Sequence, residues 1–244
     1  MNDLADRFEQ DPHMRESFPN RRPKDAATLI LIDRTGPVPK VLMGRRHQSH
    51  VFLPGKFVFP GGRVDPADRL MPVARGLDKR TEAQLMRRMS QPSAAKARTF
   101  ALTAIRETFE ETGLLIGRKT TKTPKAPAGP WTEFAKANVE VDLSAIRFIA
   151  RAITPPRRPR RYDTRFFTAD ANAIAHRIDG VIGPKAELIE LVWMPIAEAS
   201  KLDLIAITQL VLRDLQAQID AGFSHKQPVP FYRMLYGKRV REVL

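Results

Sequence analysis

The clearest pattern along the chain is an apolar run, Ala26-Ala27-Thr28-Leu29-Ile30-Leu31-Ile32, with the composition of a buried strand. Gly36, Pro37 and Pro39 punctuate it and Val41-Leu42-Met43 resumes the extended pattern, so the two segments predict a hairpin. A third short strand, Phe57-Val58-Phe59, runs into Pro60-Gly61-Gly62. Residues 78–90 predict a helix that Pro92 interrupts, and a stronger helix follows at 94–112, with Ser93 as N-cap and Gly113 as its stop. Residues 118–131, rich in Lys, Thr and Pro, predict an exposed loop. Strands are expected at 147–153, 163–169 and 187–194. A last helix at 203–221 carries Leu204, Ile207, Val211, Leu215 and Ile219 at helical spacing. Strands, a helix, strands and a helix again predict a mixed α/β sandwich in one domain.

Composition sets the class. A chain of 244 residues can build one sizeable core. No apolar run approaches the roughly 20 residues that cross a bilayer, and the polar, acidic start holds no apolar signal-peptide core. With no cysteine, disulfides, thiolate catalysis and Cys-based metal sites are excluded, and a reducing cytoplasm is the expected location.

Charge narrows the partners. Lys and Arg number 41 against 27 Asp and Glu, a formal excess of +14 that speaks to partners and solubility, not fold. The excess is uneven: residues 1–20 carry five acids against two basic groups, whereas Arg147 to Arg165 holds seven arginines and one acid, Asp163. A solvated face and an anion-binding wall are both open for such a stretch.

The informative helix contains Arg106-Glu107-Thr108-Phe109-Glu110-Glu111-Thr112-Gly113-Leu114. At about 100° per residue, Glu107, Glu110 and Glu111 share one sector, opposite Leu102, Ile105 and Phe109. Like charges on an exposed helix cost only about 0.2–0.5 kcal/mol per neighbour, so a solvated acidic face remains open. Hard divalent cations, however, want several carboxylate oxygens at one point.

With Pro60-Gly61-Gly62-Arg63-Val64-Asp65-Pro66-Ala67-Asp68 upstream, this helix resembles the Nudix box, G-x5-E-x7-R-E-U-x-E-E-x-G-U, where U is bulky and apolar. Gly62 matches the opening glycine, and Arg106, Glu107, Glu110, Glu111, Gly113 and Leu114 match the second half in identity and spacing. Three positions depart. Asp68 stands for Glu, Thr108 for an apolar residue, and 37 residues separate Asp68 from Arg106 where the pattern has seven. An insertion at about 69–98 is therefore expected to loop out, at small closure cost. The split box resembles the branch that includes the peroxisomal coenzyme A diphosphatases. The lead-in Phe52 to Gly62, Thr154-Pro155-Pro156, and Arg160 to Phe167 extend the likeness over residues 25–220. The C-terminus, Glu242-Val243-Leu244, is not a peroxisomal address.

The resemblance implies a Nudix-type α/β/α sandwich with a mixed sheet. Its parts would be a polar segment 1–24, a Nudix domain 25–221 and a basic tail 222–244. It also implies metal-dependent hydrolysis of a diphosphate linkage in a nucleoside diphosphate derivative. Glu107, Glu110 and Glu111, with a backbone carbonyl at Gly62, would hold Mg²⁺ or Mn²⁺. Arg106 would orient a box carboxylate, and Glu187, in a loop before a strand, is the candidate base, with Glu190 as competitor. Arg45, Arg46, Arg161 and Arg165 are the candidates for phosphate, which Arg contacts bidentately. His47 and His50 default to surface residues, and Trp131 and Trp193 are candidates to stack a base. Coenzyme A or its esters are the first expected substrate, with ADP-ribose, NADH or RNA 5′ ends as alternatives. A catalytically inactive nucleic-acid-binding module is a different class of reading, motivated by the charge excess. A homodimer is compatible with the resemblance, and no membrane partner is expected, since Lys238-Arg239-Val240-Arg241 is too short to anchor a protein.

Overall fold

Strand β1 (Lys24–Asp33) is central because both of its faces are apolar. Ala27, Leu29 and Leu31 enter one core while Ile30 and Ile32 enter a second on the opposite side, as a side-chain period of two dictates. The computed structural model describes residues 18–48, 54–224 and 227–244. His50 and the Phe52-Leu53 start of the lead-in lie outside them.

After β1 come β2 (Lys40–Arg46), β3 (Phe57–Val58) and β4 (Gly61–Arg63). Helix α1 (Lys79–Met86) and the long helix α2 (Ala94–Thr112) follow. Strands β5 (Leu114–Ile116), β6 (Arg118–Lys119) and β7 (Val139–Glu140), with α3 (Thr132–Lys136) before the last, lead to β8 (Arg147–Ile153) and β9 (Tyr162–Asp170). Then come β10 (Ile174–Arg177), β11 (Leu188–Pro195), α4 (Ile196–Ala199) and α5 (Ala206–Asp220). The hairpin β12 (Pro230–Leu235) and β13 (Lys238–Val243) comes last.

The main sheet is mixed, in the order β11-β2-β1-β9-β8-β12-β13, with β3 beside β2 and β4 beside β1. β1 and β2 pair antiparallel as the hairpin pattern predicts, and β1 runs parallel to β9 from Lys24↔Tyr162 to Ile32↔Asp170. Helix α2 covers the Ala27 face through Phe100, Ala101, Ala104 and Ile105, and α5 covers the Ile30 face through Val211, Leu212 and Leu215. The expected α/β/α sandwich around a mixed sheet is the architecture found. No described helix is long and apolar enough to cross a membrane.

Three expectations are corrected. The segment 118–131 is not wholly an exposed loop: it opens with β6 and ends at Trp131, which is fully buried. Residues 222–244 are not simply a tail. β12 pairs parallel with β8 and antiparallel with β13, burying Phe231 and Leu244, and Arg233 bonds Glu242 across the hairpin at 2.8 Å. Basic residues there hid the strands because many of their side chains point outward. The insertion 69–98 does not simply loop out either. Met71, Leu85 and Met89 join the core under α2, and its last residues are the first turns of α2 itself.

Candidate functional site

Two elements make the site: β4, held beside β1 with Ala27 opposite Gly62, and the C-terminal half of α2. Ser93 Oγ accepts from the Lys96 N–H at 3.2 Å to start α2, and Gly113 ends it at φ 76°, a left-handed stop that favours glycine. Thr108, at the apolar position of the box, is fully buried with its hydroxyl donating to the Ala104 carbonyl at 2.7 Å, so its polarity is satisfied within the helix.

Glycine is required where the two elements touch. A Cβ on Gly62 would stand 2.5 Å from the Glu107 carboxyl. Glu111, one turn along α2, accepts the Gly61 backbone N–H and is 7% exposed. Its Oε2 is buried without a hydrogen-bond partner among the described residues.

Burial pushes the Glu107 carboxyl up to about 7, a rise that Arg106 opposes and Glu110 reinforces. Glu111 is held well above the usual carboxylate range, first by burial and then by the negative charge of Glu187, against the pull of Arg46. Two desolvated carboxyl groups beside a glycine turn make a site whose charge asks for a cation.

Arg106 organises the rest. Its Nη1 lies 2.9 Å from Glu107 and 2.7 Å from Glu110, and its Nη2 donates to the Arg63 carbonyl at 2.8 Å. Its Nε donates to Asp68 at 2.7 Å. Asp68, fully buried, also accepts from Thr103 Oγ1 at 2.7 Å, Trp131 Nε1 at 3.2 Å and the Asp65 N–H at 3.1 Å. Within the expected acidic trio, Glu107 and Glu110 pair with Arg106, while Glu111 feels the charges of both Glu187 and Glu107. Among the described residues no three acidic groups stand together as a ready metal cage. The donor chemistry nonetheless fits a hard divalent cation, since Glu111 offers a buried oxygen with no partner and Gly62 leaves the room beside Glu107.

The other candidates divide. Glu187, in the loop before β11, reaches the site: it pairs with Arg46 at 2.7 Å and faces Glu111. Arg45, its neighbour on β2, pairs with Glu190 at 2.8 Å. Arg165 is not on a substrate face. It is 2% exposed, stacks on Phe100 with its guanidinium carbon 3.9 Å from the ring centre, and pairs with Asp25 at 2.8 Å. Alternation along β9 turns it inward onto α2, where Asp25, Asp163 and the Phe100 ring surround the guanidinium although its Nε has no partner among the described residues. Arg161 donates to the Thr154 and Arg21 carbonyls at 3.1 and 2.6 Å and to Asn20 Oδ1 at 2.7 Å. Trp131 lies in the core against Phe134 and stacks no base, and Trp193 is half-buried against the same core.

Sequence reasoning missed Thr103 and Trp131 as supports of Asp68. Thr103 was findable, three residues before Arg106 on the same helix face. Trp131 was not, because nothing local links it to a carboxylate 63 residues earlier.

No family model matches the chain. A Caenorhabditis elegans protein named nudix hydrolase 7 is 28% identical over 156 residues, 59% of this chain and 43% of its own length. The chain thus spans less than half of that relative. A crystal structure of a NUDIX hydrolase from Alicyclobacillus acidocaldarius is similar with a TM-score of 0.60 and 29% identity, over 80% of this chain and 92% of its own.

Proposed function

We propose that this chain is a Nudix hydrolase and that it cleaves the diphosphate linkage of a nucleoside diphosphate derivative with a divalent cation, Mg²⁺ or Mn²⁺. The observation that carries the proposal is the desolvated pair Glu107 and Glu111 on the Gly61-Gly62 turn, with an unpartnered Glu111 oxygen. Glu107, Glu110, Glu111 and the Gly62 carbonyl would hold the ion. When bound, it would supply charge neutralisation over the phosphates and an acidified water. The chain's own residues do the positioning. Asp68 fixes Arg106, Arg106 keeps Glu107 and Glu110 near the turn, and Glu187, held by Arg46, stands beside Glu111 to receive a proton. Arg45 and Arg46, at the end of β2 and paired with Glu190 and Glu187, would offer their remaining guanidinium donors to a phosphate.

The substrate proposed first is coenzyme A or an ester of it, on the likeness of the split box and its flanking segments. The test is a panel of coenzyme A, ADP-ribose and NADH with Mn²⁺, comparing the wild type with Glu111→Gln. Release of nucleotide products by the wild type and a loss of at least about a hundredfold in the variant is expected. Equal rates would overturn the assignment.

A further inference from the structure

The arginines of the chain are not spent alike. Arg34, Arg45, Arg75, Arg118, Arg151, Arg165 and Arg233 each face a carboxylate. Six other cations, Arg21, Arg22, Lys24, Arg63, Arg160 and Arg161, line a single cleft of about 340 Å³. None of the six is ion-paired among the described residues. They come from three separate stretches: the entry to β1, the end of β4, and the turn between β8 and β9.

The cleft is built, not a chance run of charge. Arg161 ties two of its walls, donating to Asn20 Oδ1 at 2.7 Å and to the Arg21 carbonyl. Backbone bonds from Lys24 to the Arg161 carbonyl at 2.9 Å and from Phe18 to the Arg157 carbonyl at 3.3 Å close the same seam. Strand pairing sets the third wall. Arg63 lies opposite Ala26 on β4, one residue past Gly62, so its side chain points away from Glu107 while its carbonyl accepts from Arg106. Gathering so many like charges without counter-charges among the described residues costs free energy that an anionic occupant would recover. Guanidinium groups suit phosphate oxygens, and the volume suits a small molecule.

We propose that this cleft binds a multiply phosphorylated small molecule at phosphates other than the diphosphate under attack. Those phosphates come from one of two sources: an additional phosphate on the substrate, or a separate polyphosphate. The first source rests on the hydrolase reading; binding itself does not.

The probe is inorganic tripolyphosphate, titrated calorimetrically into the full chain without divalent metal, at about 50 and about 200 mM NaCl. Wild type and Glu111→Gln should bind saturably near one to one and more weakly at the higher salt. The exposed pair Arg22→Ala/Arg160→Ala should weaken binding by at least about tenfold. Arg118→Ala/Lys119→Ala, which removes the same charge from exposed β6, should change it less than about twofold. Both variants should melt like the wild type. Loss of kcat/KM toward coenzyme A, but not toward its analogue lacking the 3′-phosphate, would assign the cleft to the substrate. Loss of tripolyphosphate binding alone would assign it to a separate anion. Absence of saturable binding, or equal weakening in both double variants, would overturn the proposal. A failure of hydrolysis in every variant, with binding intact, would count against the enzyme reading only.

Discussion

Arg106 and Asp68 are joined by two hydrogen bonds, Nε at 2.7 Å and Nη2 at 3.2 Å, across 38 residues of chain. That contact closes the insertion. The glycine turn and the C-terminal half of α2 stay in register because a buried carboxylate at the end of one grips a buried guanidinium on the other. Thr103 and Trp131 complete the grip. Removing the acid strands the buried donors Arg106 Nε, Thr103 Oγ1 and Trp131 Nε1, while Glu107 and Glu110 still face the Arg106 guanidinium. Asp68→Ala is therefore expected to lose about 3–5 kcal/mol of stability, read as a lower urea midpoint. Trp131→Phe keeps an aromatic ring but removes the indole N–H and part of the buried indole, and should cost about 2 kcal/mol. Equal losses in the two variants would show that packing, not charge, holds the junction.

Two glycines should fail in different ways. At Gly62 the obstruction is the far end of the Glu107 side chain, which can swing aside. Gly62→Ala should keep its melting temperature and lose activity by about a hundredfold, as expected for a small misplacement of a reacting group. At Gly113 the obstruction is the Ile178 backbone carbonyl, 2.2 Å from a built Cβ, at φ 76°. Gly113→Ala should lose at least about 1–2 kcal/mol of stability from the left-handed conformation alone. Paired melting curves and rates separate the cases.

The fold was legible because its elements follow simple periods. β1 alternates between two cores, and α2 carries both of its stop signals. The hairpin β12–β13 was not legible, since Arg233, Lys238, Arg239 and Arg241 interrupt the apolar pattern, and only Phe231 and the pairing with β8 reveal its place. At the site, the helix Glu residues could be grouped from spacing, and Gly62 from the resemblance to the Nudix box. The pairing of Glu107 and Glu110 with Arg106 could not, because it depends on where Arg106 points once Asp68 has claimed its Nε. The cleft was hidden for a related reason: its cations are distant in sequence, and the arginine run that drew notice contributes buried Arg151 and Arg165 as well as exposed Arg160.

Proton linkage gives a third prediction. The Glu107 carboxyl is raised to about 7, chiefly by burial. A carboxyl raised on folding contributes stability that is present below its ordinary value and is lost as pH rises through about 7. The metal-free protein should therefore lose melting temperature between about pH 5 and 7 through this group, with little further loss above that. A cation binds the deprotonated form, so Mn²⁺ should bind more tightly at pH 8 than at pH 6 and release protons as it does so. Calorimetry in buffers of different ionisation enthalpy measures that release. No proton release, with equal affinity at both values, would place the ion away from Glu107.

Arg165 supplies the last test, because the two roles it could have predict opposite results. On a phosphate-binding face, its loss would raise KM and spare stability. Instead it lies 2% exposed between the Phe100 ring, Asp25 and Asp163, while Asp163 keeps a second partner in Arg151 at 2.6 Å. Arg165→Met fills much of the same volume and removes the charge. Asp25, with its side chain 40% exposed, can turn to water, and Asp163 retains Arg151, so neither acid is left stranded. The expected cost is therefore modest, about 1–3 kcal/mol, below that of breaking a buried pair whose partner has no alternative. KM for any substrate the wild type hydrolyses should stay within about twofold, since the lost contacts are internal and a mutation of stability alone leaves substrate binding unchanged. A KM rise of tenfold or more at unchanged melting temperature would return Arg165 to the substrate face.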